Sequence, residues 1–314
     1  MDSGNIGFVL LCAAFVFVMT PGLAMFYGGL VRKKNVVNTM MTSIFIIGIG
    51  IVMWVLFGYS LSFAPSGNAF IGDFRWLGLE GVSLTEGYTD DASIPNMVFS
   101  AFQMMFAVIT PALITGAVAG RMKFKSIFVF TIFWSLIVYY PLAHMVWGQG
   151  GLLGADGIGA LDFAGGDVVH ISSGVSALVL CILLGKRHDY EHSIYRIHNI
   201  PTVVLGASLL MFGWFGFNAG SALAADGLAA HAFMTTGVSA AAAMLSWMLC
   251  DVIKNKKPTL IGASTGMVAG LVGITPGAGF VPMWAAVIIG LTTSPVCYIM
   301  ISYGKKKFGF DDAL

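Results

Sequence analysis

The sequence has 314 residues, of which 57% are hydrophobic and only 10% are charged, and its formal net charge is +1. Soluble domains carry about 25% charged residues, so this composition excludes a water-soluble globular protein. The basic residues neither outnumber the acids nor gather in one stretch, which gives no electrostatic footprint for nucleic acid. We therefore expect a membrane protein with no nucleic-acid partner.

The four cysteines lie inside apolar runs and form no CxxC pair, which indicates neither a zinc site nor a disulfide framework. No Lys or Arg precedes the first apolar run, so we expect that run to be a retained helix rather than a cleaved signal peptide.

Nine apolar runs are each long enough for a helix that crosses a bilayer, which needs about 20 residues. We place them approximately at Phe8 to Val31, Met40 to Ala64, Ile94 to Ala119, Ser126 to Trp147, Val168 to Gly185, Ile200 to Ala222, Ala229 to Ile253, Thr259 to Thr275 and Val281 to Tyr303. The predicted fold class is an all-α polytopic membrane protein.

Basic residues follow every odd-numbered run and leave only Arg75 of the 16 on the other side. The clusters are Arg32, Lys33 and Lys34; Arg121, Lys123 and Lys125; Lys186, Arg187 and Arg196; Lys254, Lys256 and Lys257; and Lys305, Lys306 and Lys307. Cytoplasmic loops are enriched in Lys and Arg, so this pattern predicts an N-terminus outside the cell membrane. The opposite loops carry acids that include Asp156 and Asp162, which act either as a cation-attracting rim or as ordinary solvated charge.

Glycine is frequent within the runs. Gly262, Gly266 and Gly270 share one helix face at four-residue spacing, which predicts close helix packing.

Two histidines lie within or near the apolar runs, where an ionisable group is costly and is therefore a functional candidate. His170 stands about one and a half turns inside the fifth run, and a chemical role and a packing role are equally compatible with that position. His144 lies near the end of the fourth run, where hydrogen bonding to a loop carbonyl is the simpler interpretation.

Asp162 and Asp167 flank a Gly-Gly pair before the fifth run. For Asp167 we expect a capping role at the start of the helix, whereas Asp162 could organise the loop or attract a cation. Aromatic residues form a further pattern, because Phe106 lies one turn after Phe102 and Phe217 lies near Ser221. Such residues usually pack, but an aromatic face beside a hydroxyl also suits a small cation.

The sequence has no Walker loop and no metal-ligand spacing such as HExxH, and no nucleophile stands at a plausible spacing from a base. We therefore expect no cofactor, no metal, no catalytic residues and no enzymatic activity.

Several stretches resemble the ammonium transporter family, Amt/Mep/Rh, in its bacterial Amt-like form. They are TPGLAMFYGGLVRKKNV, FQMMFAVITPALITGA, AHMVWGQGGLL, GWFGFNAGSA and, longest, DFAGGDVVHISSGVSALVLCILLGKR. The resemblance implies uptake of ammonium or ammonia by a homotrimer through a narrow hydrophobic pore between two inverted repeats in each protomer.

By position in these motifs, the resemblance implies that Trp147, Phe106 and Ser221 form an outer site that recruits ammonium. Phe106 and Phe217 correspond to the pore gate, His170 to a pore histidine and Asp162 to a structural support. Ammonium would lose a proton before crossing. An ammonium sensor of the same fold is the alternative, and a P-II signal protein is the expected cytoplasmic partner.

The family has eleven helices and a second pore histidine in a Phe-Gly-x-His-Gly motif at the start of the tenth. The sequence ends at Leu314, before that motif. We therefore interpret residues 1–314 as one transporter domain with nine of eleven spans, its first repeat at about 8–187 and its second at about 200–314 without its last helix.

Overall fold

The computed structural model describes residues 1–65, 67–155, 157–187, 190 and 197–312. Asp156 and Arg196, which contribute to the charge pattern, lie outside the described residues, as does the end of the predicted second repeat. The described parts are helical, without strands, and nine helices in them are long and apolar enough to cross a membrane. These are α1 Ser3–Leu30, α2 Lys33–Phe63, α3 Asn96–Val118, α4 Phe124–Trp147, α5 Gly166–Leu184, α6 Ile200–Gly220, α7 Gly227–Asn255, α8 Leu260–Gly277 and α9 Met283–Gly304.

The predicted number and order of spans are confirmed, but several helices extend beyond the apolar runs. At the start of α7, the Asp226 side chain accepts a hydrogen bond of 2.9 Å from the backbone N–H of Ala229. This cap satisfies a free N–H group of the first turn, so the helix can begin before the apolar run. Hydropathy thus located the apolar part of each helix, but not the helix ends.

Four helices contain a π-helical segment, in which one extra residue widens a turn. The segments are Trp54–Gly58 in α2, Ser135–Tyr139 in α4, Gly166–Ile171 in α5 and Met300–Gly304 in α9. In α5 the backbone N–H of His170 bonds to the carbonyl of Gly165, five residues back, at 3.0 Å. The extra residue rotates the side chains that follow by about 100° relative to a continuous α-helix.

Helices α1 and α6 pack at very short range through glycines. A Cβ atom added at Gly206 of α6 would lie 2.2 Å from the backbone nitrogen of Phe26 in α1. A Cβ atom at Gly213 would lie 2.2 Å from Met19 Cγ. Only glycine permits this approach, which brings the backbones of the two helices into direct contact.

The predicted packing face of α8 is confirmed. Cβ atoms added at Gly266 and Gly270 would lie 2.5 Å from Trp247 Cβ and 2.4 Å from Ala243 Cβ, both on α7. At Gly262 the added atom would meet the Asp251 carboxylate at 2.3 Å. All three glycines therefore seat α8 against α7.

Basic residues from three separate loops gather at one end of the bundle. A cavity of about 650 Å³ is lined by Arg32, Lys34, Asn35, Gly120, Arg121, Leu184, Lys186 and Arg187. Arg75, by contrast, pairs with Asp73 at 2.7 Å in the loop between α2 and α3. Hydrogen bonds from Arg75 hold the pKa of the Asp73 carboxyl below its usual value. The structure thus puts the basic clusters after α1, α3 and α5 on a common face, and their cytoplasmic orientation stays a prediction.

Candidate functional site

A cavity of about 450 Å³ opens at the end of the bundle away from the basic residues, and we name it the outer cavity. It brings together Phe106 of α3, Trp147 at the end of α4, Asp162 of the following loop and Ser221 just after α6. These residues are distant in sequence, and they are the same ones that the family resemblance singled out. Asp91 and Asp162 contribute to the lining, and no Lys or Arg among the described residues does, so the cavity favours a cation.

Trp147 is fixed at the wall of the outer cavity. Its indole Nε1–H donates a hydrogen bond to the backbone carbonyl of Asp162 at 3.0 Å. Its ring lies 6.0 Å from that of Phe106, centroid to centroid, with the ring planes at 89°. A cation in the cavity therefore meets aromatic surfaces held in a defined geometry.

Ser221 presents a hydrogen-bond acceptor to the outer cavity. Its hydroxyl donates to the backbone carbonyl of Phe217 at 2.9 Å. Because the hydroxyl proton is used in this bond, the oxygen can offer its lone pairs to a donor. An N–H group of a ligand is such a donor.

Two phenylalanine rings close the inner end of the outer cavity. Phe106 and Phe217 have ring centroids 4.2 Å apart at an interplanar angle of 30°, and at most 1% of either residue is exposed. Phe106 lines the outer cavity, and Phe217 lines the next cavity along the bundle. The pair that the resemblance assigns to the gate thus lies between two spaces, with its rings in close, tilted contact.

The second space, which we name the middle cavity, has a volume of about 160 Å³ and contains His170. Its lining is hydrocarbon apart from His170, Tyr27 and Trp214. The imidazole stacks on Trp214 at 5.3 Å and lies nearly parallel to the ring of Phe217 at 6.0 Å. Its Nε2 atom is buried and has no hydrogen-bond partner within the described parts of the chain. An unpaired polar atom in an apolar cavity favours a ligand that can hydrogen-bond to it.

A third space, the inner cavity, measures about 640 Å³ and continues toward the basic end of the bundle. It shares Phe26, Tyr27 and Leu113 with the middle cavity. Tyr27 is held there by a 2.9 Å hydrogen bond from its hydroxyl to the carbonyl of Leu113. The outer, middle and inner cavities therefore follow one another through the bundle.

Asp162 organises the start of α5. One carboxylate oxygen accepts backbone N–H bonds from Gly165 and Gly166 at 2.7 and 2.6 Å. The other accepts from Asp167 and Val168 at 2.8 and 3.1 Å. The prediction that Asp167 caps the helix is therefore wrong, because the chain folds back and delivers the more distant carboxylate to all four free N–H groups.

The Gly-Gly pair makes this cap possible. Gly165 has a φ of 115°, which favours glycine, and a Cβ atom there would lie 2.7 Å from Val169. A Cβ atom at Gly166 would lie 2.3 Å from Pro276, in the last turn of α8. Both glycines are required for the backbone to wrap the Asp162 carboxylate and to reach the π-helical turn that carries His170.

The remaining sequence candidates lie away from the cavities. His144 is fully buried, and its two ring nitrogens lie 3.1 and 2.8 Å from the carbonyls of Ser62 and Asn68, in agreement with the structural interpretation. Phe215, which the GWFGFNAGSA stretch contains beside Phe217, stacks on Phe233 of α7 at 4.2 Å and does not line the three cavities.

Two residues that line the cavities were not predicted from the sequence. Trp214 packs on His170 and is fixed by an indole hydrogen bond of 2.9 Å to the Thr275 hydroxyl. Its position three residues before Phe217, on the same helix face, is a signal that could have revealed it. Gln103, a polar side chain in an apolar helix, lines the outer cavity.

In the described parts of the chain, a cation-favouring cavity, an aromatic barrier and an apolar cavity with a histidine follow one another through a bundle of apolar helices, and this arrangement defines a membrane transport protein for a small solute. The sequence model of the Ammonium Transporter Family matches residues 7–314. The chain belongs to this family, which is a transport family and not an enzyme family. It is a multi-pass membrane protein whose function is ammonium transport.

Individual relatives agree with this assignment. The chain is 52% identical to the ammonium transporter of Bacillus subtilis, over all of this chain and 76% of that protein. The crystal structure of Saccharomyces cerevisiae Mep2 matches with a TM-score of 0.90 and 38% identity, covering 99% of this chain and 69% of that one. A structure described as a sensor Amt protein matches with a TM-score of 0.88 and 29% identity, over 99% of this chain and 77% of that one.

Proposed function

We propose that ammonium is captured as a cation in the outer cavity, loses a proton and crosses the aromatic barrier as ammonia. The observation that carries this proposal is the close contact of the Phe106 and Phe217 rings, which lie between a cation-favouring cavity and an apolar cavity that contains the unpaired Nε2 of His170. The cavities differ in the charge that they can stabilise, and the solute must change charge between them.

In the outer cavity, Ser221 accepts one N–H bond from the ammonium ion, while Phe106 and Trp147 supply aromatic faces. Hydrated potassium and sodium ions find no replacement there for their water shell, whereas ammonium can satisfy its N–H groups. Capture therefore selects for a cation that donates hydrogen bonds.

Beyond the barrier, hydrocarbon walls penalise a charged species heavily. Transfer of one proton from ammonium to water in the outer cavity, which opens to the surrounding solution, removes this penalty, and potassium and sodium have no proton to transfer. The resulting ammonia can donate an N–H bond to His170 Nε2. The imidazole thereby lowers the energy of the neutral solute in the middle cavity.

Replacement of His170 tests the pore step. In purified full-length protein in proteoliposomes, we expect His170→Ala to lower the ammonium transport rate about tenfold, the equivalent of one hydrogen bond of about 1.4 kcal/mol. Cys181→Ala, a change of another buried residue on α5, is the matched control and is expected to leave the rate unchanged. An unaltered rate and ion selectivity in His170→Ala would disprove the role of the histidine.

Replacement of Ser221 or Trp147 tests the capture step separately. We expect Ser221→Ala and Trp147→Leu to raise the ammonium concentration for half-maximal transport, while the maximal rate changes less. A fall in maximal rate with no change in that concentration would remove these residues from the capture site.

The second candidate function is ammonium sensing, and the match to a structure described as a sensor Amt protein favours its consideration. The two functions share one fold and one binding site, so geometry does not separate them. A measurement of ammonium flux into proteoliposomes separates them. A sensor binds ammonium without substantial transport, whereas the proposed transporter moves it at a rate that depends on His170.

The proposal includes three features that rest on the family resemblance and the charge pattern. The protein assembles as a homotrimer, its N-terminus lies outside the cell membrane, and a P-II signal protein binds its cytoplasmic loops. The division into two inverted repeats, about 8–187 and about 200–314, also stays a prediction. Light scattering of the purified protein in detergent measures the oligomeric state directly.

A further inference from the structure

Gln103 occupies a place in the outer cavity that the capture mechanism does not use. It lies on α3 three residues before Phe106, so the two side chains share one face of the helix. Gln103 lines the cavity together with Phe106, Trp147 and Ser221, and only 8% of the residue is exposed. Its amide therefore stands among the groups assigned to cation capture.

The Gln103 Oε1 atom is buried and has no hydrogen-bond partner in the described part of the chain. The neighbouring polar groups are engaged: Asp162 accepts four backbone bonds and Ser221 donates to Phe217. A buried amide oxygen without a partner is costly, and native proteins keep such atoms rarely. An unpaired acceptor on a residue that lines a ligand cavity is suited to a donor that arrives with the ligand.

We propose that Gln103 is a specificity-determining residue of the outer cavity, whose Oε1 accepts an N–H bond from the bound ammonium ion. This inference rests on the proposed capture site and deepens it. With Gln103, the cavity offers two oxygen acceptors and two aromatic faces, which together satisfy the four N–H groups of a tetrahedral ion.

Two oxygens are too few to replace the water shell of potassium, which is a cation of similar size without N–H groups. The amide also has to present its oxygen, because its NH₂ group would repel a cation. Glutamate at this position would offer oxygen in either rotation and so retain the acceptor. Leucine keeps much of the volume of glutamine but has no acceptor.

These differences define the experiment, performed with purified full-length protein in proteoliposomes with ammonium as the probe. We expect Gln103→Leu to raise the ammonium concentration for half-maximal transport about tenfold with little change in maximal rate, as for loss of one bond to a charged group. We expect Gln103→Glu to hold that concentration at or below the original value. Met104→Leu, a change of the next residue on α3, is the matched control, because Met104 lies outside the cavity lining.

Methylammonium supplies a second probe. It has one N–H group fewer than ammonium, so we expect Gln103→Leu to raise its half-maximal concentration by a smaller factor. An unchanged half-maximal ammonium concentration in Gln103→Leu would overturn the inference, as would a loss confined to the maximal rate. If Gln103→Leu does not fold, Gln103→Met provides the same comparison.

Ser221→Ala separates failure of this inference from failure of the capture site. A raised half-maximal concentration in Ser221→Ala with none in Gln103→Leu would overturn the role of Gln103 alone. No effect in either variant would overturn the capture site as well.

Discussion

At the scale of single residues, Asp162 connects the fold with the outer cavity. Its carboxylate accepts the four N–H bonds at the start of α5, and its backbone carbonyl accepts the indole bond of Trp147. Free N–H groups at a helix start carry partial positive charge, which a carboxylate compensates. One residue thereby positions the π-helical turn of His170 and an aromatic wall of the cavity.

Replacement of Asp162 should therefore lower the stability of the protein more than replacement of Asp167. We expect Asp162→Ala to destabilise the protein by about 3 kcal/mol, because several partly buried donors lose a charged acceptor. Asp167→Ala is the control, since its carboxylate accepts none of these four bonds. The measurement is the apparent midpoint of thermal unfolding in detergent, and equal midpoints for the two variants would contradict the capping role.

At the scale of elements, the closely packed helices α1 and α6 together form part of the wall of the middle cavity. α1 contributes Leu23 and Phe26 to the middle cavity, and α6 contributes Trp214 and Phe217. The backbones of the two helices can approach this closely only where glycine replaces a side chain, as at Gly206. Small residues at this interface therefore keep the cavity narrow.

An alanine in place of a glycine at the contact between α1 and α6 tests this packing. We expect Gly206→Ala to lower the apparent unfolding midpoint and the yield of folded protein, because its Cβ atom would lie 2.2 Å from the Phe26 backbone nitrogen and overpacking typically costs about 1–3 kcal/mol.

Gly48→Ala on α2 is the matched control, because a Cβ atom at that position meets nothing within 4 Å. Alanine also has the higher helix propensity, so this variant should be neutral or slightly more stable. Unfolding midpoints that change equally in the two variants would show that the α1–α6 contact tolerates the added atom.

At the scale of the whole molecule, the three cavities run between an end with acidic side chains and an end with basic ones. Asp91 and Asp162 line the outer cavity, while Arg32, Arg121 and Lys186 line the cavity at the other end. The bias of basic residues toward the cytoplasm predicts that capture takes place on the outside. The arrangement is thus suited to uptake.

Labelling of introduced cysteines can check this orientation. In a version with the four native cysteines replaced, we expect Glu80→Cys, in the loop between α2 and α3, to react with a membrane-impermeant maleimide in intact cells. Lys123→Cys, between α3 and α4, should react only after the cells are lysed. The reverse pattern would place the N-terminus inside and would invert the proposed direction of capture.

The amino-acid sequence by itself determined the number, order and approximate limits of the nine spans. Hydropathy and basic residues act locally along the chain, because each helix must satisfy its own backbone within lipid. The Gly262, Gly266 and Gly270 face was also readable, since residues four apart share one side of a helix. Similarity of motifs, rather than periodicity, singled out Trp147, Phe106, Ser221, Phe217, His170 and Asp162.

Only the tertiary structure decided how these residues meet. The contact of the Phe106 ring with the Phe217 ring depends on how α3 and α6 pack, and the spacing along the chain does not encode that distance. The sequence predicted Asp167 as the cap of α5, whereas the observed cap is Asp162. The reason is that the Gly-Gly turn folds the chain back, so that the Asp162 carboxylate meets the start of the helix. The unpaired oxygen of Gln103 was likewise visible only in the structure. Whether a buried polar atom has a hydrogen-bond partner depends on its three-dimensional surroundings.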